Sequence, residues 1–216
     1  MVRPPHDLIE RLSEDLRPVK PLSAGRLLGL ALVFTAMTLF WVVGFYGMRP
    51  EFTDIEGALL QARFALLKPL LWGWAGLSAL HAANALSRPE GRCHWSDLAP
   101  LPVILLSHGL ALWWQVASSG WDGATAGGFG GAALCGLTIL LSAWVAMRLV
   151  TPMWLSRTAS SQPRLLRLCA ALGFAGLAAA AYALHCPMDQ PLYTLCVYLP
   201  AIGMVLLVEG GPWSKG

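Results

Sequence analysis

The residues of this chain that could do chemistry are concentrated around one cysteine. Cys186 lies in the run His185-Cys186-Pro187-Met188-Asp189, so a thiol, an imidazole, a thioether and a carboxylate occupy neighbouring positions. Thiolate and thioether ligands select soft metal ions, and imidazole binds many transition metals. A second cysteine brought to the same place would also allow a disulfide in an oxidising compartment. The candidate chemistry is therefore metal binding or thiol oxidation.

The composition indicates whether these residues are positioned by a soluble or a membrane protein. Of 216 residues, 56% are apolar and 12% are charged, whereas soluble domains have about 45–50% apolar and about 25% charged residues. The formal net charge of +3 comes from scattered basic residues and does not suit a nucleic-acid surface. We therefore predict an all-α integral membrane protein that contacts lipid and binds no nucleic acid directly.

Six stretches approach the ~20 apolar residues that a membrane-spanning helix needs. We predict a polytopic six-transmembrane-helix bundle over residues 27–208, between a cytoplasmic N-terminal segment (1–26) and a cytoplasmic tail (209–216). The predicted spans are residues 27–47, about 60–86, about 98–117, about 131–150, 165–184 and 191–208.

The distribution of lysine and arginine predicts the orientation of these spans. With the N-terminus in the cytoplasm, twelve of the fifteen Lys and Arg residues flank the inner ends of the spans and three flank the outer ends. Basic residues concentrate on the cytoplasmic side of membrane proteins. Both termini are therefore expected in the cytoplasm.

Residues 1–26 carry a helical pattern of their own. Asp7 can cap a helix in which leucine recurs every fourth residue until Pro18. The polar faces carry more acids than bases, whereas helices that lie on membranes usually have basic polar faces. Docking into a groove of a partner is therefore favoured over lying in the headgroup plane. The predicted partner-binding residues are Leu8, Ile9, Leu12 and Leu16.

The predicted topology sorts the five cysteines by depth. Cys135 begins the fourth span and Cys186 precedes the sixth, so both face the oxidising side at similar depth. This pair is predicted to sense a signal, with His185, Met188 and Asp189 as neighbours. Cys135 and Cys186 would be the metal ligands, with His185 and Met188 as possible additions. The other cysteines, expected to be small buried apolar residues, are Cys93, Cys169 and Cys196.

Lys68 is a charged residue inside the second predicted span, about two turns from its outer end. Its long stem allows the ammonium to reach the outer headgroups, and this interpretation is favoured. The alternative is an ion pair with an outer carboxylate such as Asp189 or Asp54.

Several stretches of the chain match the pattern of one known family. They are residues 8–12 and 15–19, Arg49-Pro50, Lys68, Cys135 and, above all, residues 185–192. Over essentially its whole length the sequence resembles the NrsF family of bacterial membrane anti-sigma factors, the negative regulators of sigma F. Family members commonly have Glu where this chain has Met188 and Ser where it has Gln190. The methionine adds a soft ligand.

The resemblance implies a non-enzymatic regulator in the bacterial inner membrane. It would hold an extracytoplasmic-function sigma factor and release it under metal or oxidative stress. The two outward-facing cysteines of the family map onto Cys135 and Cys186. No constitutive cofactor is expected, and a soft metal ion such as copper or cadmium would be the inducing signal.

Two other classes remain open at the level of sequence. An integral thiol oxidoreductase would also place cysteines outside a small bundle, although usually as Cys-x-x-Cys or a similar pair, and none is present. A small metal or solute transporter would need a polar path through the membrane. Few residues could line one: Lys68, His81, Asn84 and His108.

Overall fold

A computed structural model describes residues 24–49, 52 and 63–211, with side chains from residue 66 onward in the longer segment. The described part of the chain is helical and contains no strand. The predicted N-terminal helix with Leu8, Ile9, Leu12 and Leu16, and residues 212–216 of the tail, lie outside it. The helices are α1 (Ala24–Tyr46), α2 (Arg63–Leu86), α3 (Trp95–Leu98), α4 (Pro100–Thr125), α5 (Ala132–Met153), α6 (Pro163–Ala183) and α7 (Pro191–Gly210).

Five helical segments are long and apolar enough to cross a membrane: α1, α3 with α4, α5 with the 3₁₀ turn that follows it, α6 and α7. The prediction of an all-α chain with several spans is confirmed. The second predicted span, α2, is 24 residues long but is not among the five. Its sequence includes Lys68, His81 and Asn84, which make it less apolar. The count of six spans stays a prediction.

The third span was predicted to end at residue 117, just before the polar run Ser118-Ser119-Gly120. Helix α4 breaks at Gly120, close to that end, and helical turns resume up to Thr125. The hydroxyls of Ser118 and Ser119 donate to the Gln115 carbonyl at 3.2 and 2.8 Å, which satisfies them inside the helix. Gly120, with φ +70°, introduces a kink in a conformation that glycine adopts without strain.

Helix α6 is the centre of the bundle and packs on α1, α2, α5 and α7. Its contact with α2 is the most extensive between described helices and brings the two backbones together. A Cβ atom built on Gly176 would lie 2.8 Å from the Cα of Gly76, and one on Gly76 would lie 2.8 Å from the amide nitrogen of Leu177. Small residues allow such close approach of membrane helices.

Two groups of contacts define the ends of the bundle. At the thiol end, Arg49, Lys68 and Cys135 meet the loop between α6 and α7. At the basic end, Arg148 pairs with Glu209 at 3.5 Å, and Arg164 donates twice to the Gly210 carbonyl. Successive long helices therefore run in alternating directions, as predicted. That the basic end faces the cytoplasm stays a prediction.

Helix α7 contains a π-helical turn over Thr194–Tyr198. Pro200 follows it and has no backbone N–H to donate to the carbonyl of residue 196, so a regular α-helical bond is absent there. Single π turns of this kind are frequent at functional sites. Here the turn places Tyr198, which is fully buried, in the core beside the thiol end.

Candidate functional site

The structure brings Cys135 and Cys186 together. Cys135 is in the first turn of α5, where its amide donates to the Gly131 carbonyl at 2.9 Å. Cys186 follows α6, and its amide donates to the Tyr182 carbonyl at 3.0 Å. Both side chains are buried and both thiols are free. Their thiols lie close enough to interact electrostatically, a proximity that equal predicted depth alone could not establish.

Aromatic rings close the space around the two thiols. Tyr193 and Tyr198 adjoin the sulfurs, and both tyrosines are buried. The ring of Trp72 stacks on that of Tyr198 with centroids 6.0 Å apart. The thiols therefore lie in a largely apolar pocket, where charges interact more strongly than in water.

Lys68 is fully buried in this pocket. Its Nζ donates to the Met188 carbonyl at 2.7 Å and lies 4.6 Å from the ring centroid of Tyr198 and 5.9 Å from that of Tyr193. The expectation that Lys68 reaches the outer headgroups is wrong, because its ammonium finds a carbonyl and two ring faces inside the protein. Pairing with Asp189 is also wrong, since Arg49 occupies that carboxylate, and the other candidate, Asp54, lies outside the described residues.

The surroundings of Cys186 favour its thiolate. A hydrogen bond from the Cys135 thiol, the charge of Lys68 and the Met188 backbone lower the pKa of Cys186 below its ordinary value, against the opposing effect of burial. Hydrogen bonds to the charged form and a nearby opposite charge both act in this direction. Cys186 is therefore the thiol prepared to react as a nucleophile or ligand, with Cys135 as its hydrogen-bond donor.

Arg49, which follows α1, holds the loop that carries Cys186. Its guanidinium forms a bidentate ion pair with Asp189, with both N···O distances 2.8 Å, and also donates to the Cys186 carbonyl at 2.9 Å. Its backbone amide donates to the Leu184 carbonyl at 3.3 Å. We name these contacts the Arg49 clamp. Sequence reasoning had not assigned this role to Arg49.

His185 and Asp189 are engaged away from the sulfurs. The Nδ1 of His185 hydrogen-bonds to the Gly47 carbonyl at 3.0 Å, and its ring packs against that of Tyr46, with centroids 5.1 Å apart. Within the described residues, no group of three or more His, Cys, Asp or Glu side chains could hold a metal ion. The thiol pair, with Met188 nearby, is what the structure offers a soft metal, and metal binding stays a prediction.

The remaining cysteines differ from one another. Cys169 is buried, as predicted, whereas Cys196 is exposed on α7, so that prediction was wrong. Cys93 is half-buried near the basic end, with its thiol beside that of Cys169. Partial burial, followed by the charge of Asp97, raises the pKa of Cys93. Among the described residues, the pair Cys135 and Cys186 at the thiol end adjoins the buried cation Lys68, whereas Cys93 at the basic end lies near the carboxylate of Asp97.

Comparison with known proteins identifies one family. The sequence model described as "NrsF: Negative regulator of sigma F" matches residues 12–211, nearly the whole chain. No curated protein and no solved structure matches the chain.

Proposed function

The chain belongs to the NrsF family, the negative regulators of sigma F, and from this membership we propose that it holds an extracytoplasmic-function sigma factor at the bacterial inner membrane until a stress signal arrives. The family name implies a sigma-factor partner. Sequestration requires binding alone, so no catalytic step is needed.

The N-terminal segment is the proposed docking element for the sigma factor. Its leucine stripe, Leu8, Leu12 and Leu16, suits an apolar groove. A sigma factor is cytoplasmic, so this assignment requires the N-terminus and the basic end of the bundle to face the cytoplasm, in agreement with the distribution of Lys and Arg.

The proposed sensor is the thiol pair, and the contact between Cys135 and Cys186 is the observation that carries the proposal. Two events would join the sulfurs. A soft ion such as Cu(I) could be bound by two thiolates, with loss of the thiol protons. Alternatively, a peroxide could oxidise the two thiols to a disulfide, with hydrogen peroxide reduced to two molecules of water or an organic hydroperoxide reduced to an alcohol and water. Either event ties α5 to the loop before α7 through bonds to both sulfurs, directly in a disulfide or through the bound ion.

The energetic requirement can be met by such a link. Shifting a population from 99:1 to 1:99 needs about 5.5 kcal/mol of differential signal binding. Structural thiolate metal sites bind with about 10 kcal/mol or more. A fraction of that free energy, expressed as a preference for the releasing conformation, is sufficient for induction.

Co-purification tests the proposal. The full chain, extracted from membranes in mild detergent, is expected to carry a stoichiometric sigma factor and to release it on addition of Cu(I), Cd(II) or hydrogen peroxide. Cys135→Ser and Cys186→Ser should each abolish release while leaving the bound sigma factor unchanged, and the double variant should match either single one. Cys196→Ser, at an exposed cysteine, is the matched control and should release normally.

The outcomes separate this function from the two other classes. If the wild-type chain releases the sigma factor on addition of the metal ions but not of peroxide, metal binding is the physiological event. The reverse result identifies thiol oxidation. Full release from both single variants would show that the signal enters elsewhere. Bound quinone without a sigma factor would indicate a thiol oxidoreductase, and substrate-dependent flux in vesicles would indicate a transporter.

A further inference from the structure

Helix α1 is held loosely along its length. About 22% of its most apolar window is buried, compared with 78% for α6. It packs mainly on α6, with smaller contacts to α2 and α5. Its buried residues form a single stripe, Leu27, Ala31, Phe34, Thr38 and Val42. Many of its other side chains are large, apolar and exposed, as suits contact with lipid. Helix α1 therefore contributes one stripe to the core, and the rest of the bundle packs without it.

The end of α1 at the thiol end is bonded to the short loop between α6 and α7. The Arg49 clamp reaches the Leu184 and Cys186 carbonyls and the Asp189 carboxylate. His185 adds a hydrogen bond to the Gly47 carbonyl. These partners lie within residues 184–189, the loop that carries the reactive thiol. The position of this end of α1 is therefore coupled to the conformation of that loop.

We propose that the Arg49 clamp is the joint through which the state of Cys186 controls α1, which in turn positions the N-terminal segment. This inference rests on the proposed function for the identity of what the segment binds. With the clamp closed, α1 holds the segment where it retains the sigma factor. With the clamp open, α1 shifts and the sigma factor leaves.

The geometry indicates how a signal opens the clamp. One residue supplies both the sulfur that faces Cys135 and the carbonyl that accepts from Arg49. A disulfide is about 2 Å long, much shorter than a hydrogen-bonded contact between thiols. Drawing the Cys186 sulfur towards Cys135 therefore moves its carbonyl relative to the guanidinium. Hydrogen bonds weaken steeply as their angles depart from linearity, so the clamp loses acceptors when the sulfurs are joined.

The clamp depends on the shape of arginine as well as its charge. A guanidinium is planar and can engage both oxygens of a carboxylate while donating to a carbonyl. A lysine ammonium keeps the charge but not this fork. Arg49→Lys and Asp189→Asn are therefore expected to open the clamp with little change in size.

The decisive experiment places these substitutions in a chain that lacks both cysteines of the proposed sensor. In the Cys135→Ser/Cys186→Ser background, Arg49→Lys or Asp189→Asn should release the sigma factor without any signal, with at least a tenfold loss of co-purified sigma factor at equal membrane abundance. Arg148→Lys is the matched control, because it alters an ion pair at the other end of the bundle (3.5 Å, with Arg148 57% exposed). It should retain the sigma factor.

A distance measurement tests the joint independently of the partner. Spin labels are placed by Gly25→Cys on α1 and Gly203→Cys on α7, two positions where an added side chain meets nothing within 4 Å, in a chain whose own cysteines are replaced by serine. Asp189→Asn should broaden or shift the distance distribution, and Arg148→Lys should not.

Co-purification and the spin-label distance together distinguish failure of the joint at Arg49 from failure of the proposed function. An unchanged distance in both clamp variants overturns the joint, and so does sigma factor that stays bound to both. A distance that changes while the wild-type chain binds no sigma factor overturns the proposed function and leaves the joint standing.

Discussion

Gly176→Val tests the close packing of α2 on α6 that positions Lys68. A Cβ atom at residue 176 would lie 2.8 Å from the Cα and amide nitrogen of Gly76 and 3.1 Å from the Trp72 carbonyl oxygen, whereas ordinary contacts are 3.4–4 Å. All three atoms belong to the backbone of α2 and cannot rotate away. Helix α2 must therefore retreat by about 0.6–1.2 Å to reach ordinary contact distances.

The cost follows from this displacement. Overpacking a well-packed site typically costs about 1–3 kcal/mol, and a rigid backbone neighbour places valine at the upper end. At about 2–4 °C per kcal/mol for a chain of this size, the unfolding temperature should fall by about 6–12 °C. The same retreat lengthens the 2.7 Å bond from Lys68 to the Met188 carbonyl towards or beyond the ~3.2 Å limit of a good hydrogen bond.

Thermal unfolding of the purified protein in detergent, followed by circular dichroism, measures this effect. Gly109→Val is the control, because a Cβ atom at that position in α4 meets nothing within 4 Å. It should unfold within a few degrees of wild type. If Gly176→Val unfolds at or above the wild-type temperature while Gly109→Val does the same, α2 and α6 are not in backbone contact and the positioning argument for Lys68 fails.

Two further predictions concern the proposed sigma-factor-binding segment and the thiol of Cys186. Leu12→Asp should abolish sigma-factor co-purification at normal membrane abundance, because burying a carboxylate in an apolar groove costs several kcal/mol. Unchanged pull-down would direct attention to the connection between α5 and α6, residues 154–162. In the wild type, the neighbouring Cys135 thiol and the charge of Lys68 lower the pKa of Cys186, so its modification by methyl methanethiosulfonate, followed by mass spectrometry, should depend less on pH near neutrality than that of an ordinary thiol. In Lys68→Met the rate should fall as the pH falls, and equal pH profiles would show that Lys68 does not favour the thiolate.

The sequence predicts the helices well because lipid permits few alternatives. A spanning segment needs a long apolar run, and such runs are visible without knowledge of their neighbours. The equal depth of Cys135 and Cys186 followed from counting spans. Their contact did not, because depth does not determine which helices are adjacent.

The partners of the charged residues could not be predicted from the sequence. A lysine two turns inside a span has the same local sequence whether it reaches the headgroups or turns inward. The choice at Lys68 depends on a carbonyl at Met188 and a ring at Tyr198, both more than a hundred residues away. The same holds for Arg49, whose carboxylate partner is 140 residues distant. The sequence does offer one indication of the partner of Arg49, because Asp189 is the only acid in the loop between α6 and α7.

The burial of Lys68 also has a consequence for how the protein is made. With α2 in the membrane as predicted, its ammonium must leave water before its partners exist, because Met188 and Tyr198 are translated more than a hundred residues later. At about 5–20 residues per second, the delay is on the order of 6–25 s. During that interval α2 also lacks α6, its closest packing partner. A nascent chain that stops before its last two helices therefore leaves Lys68 without the Met188 carbonyl and the Tyr198 ring, and α2 without α6.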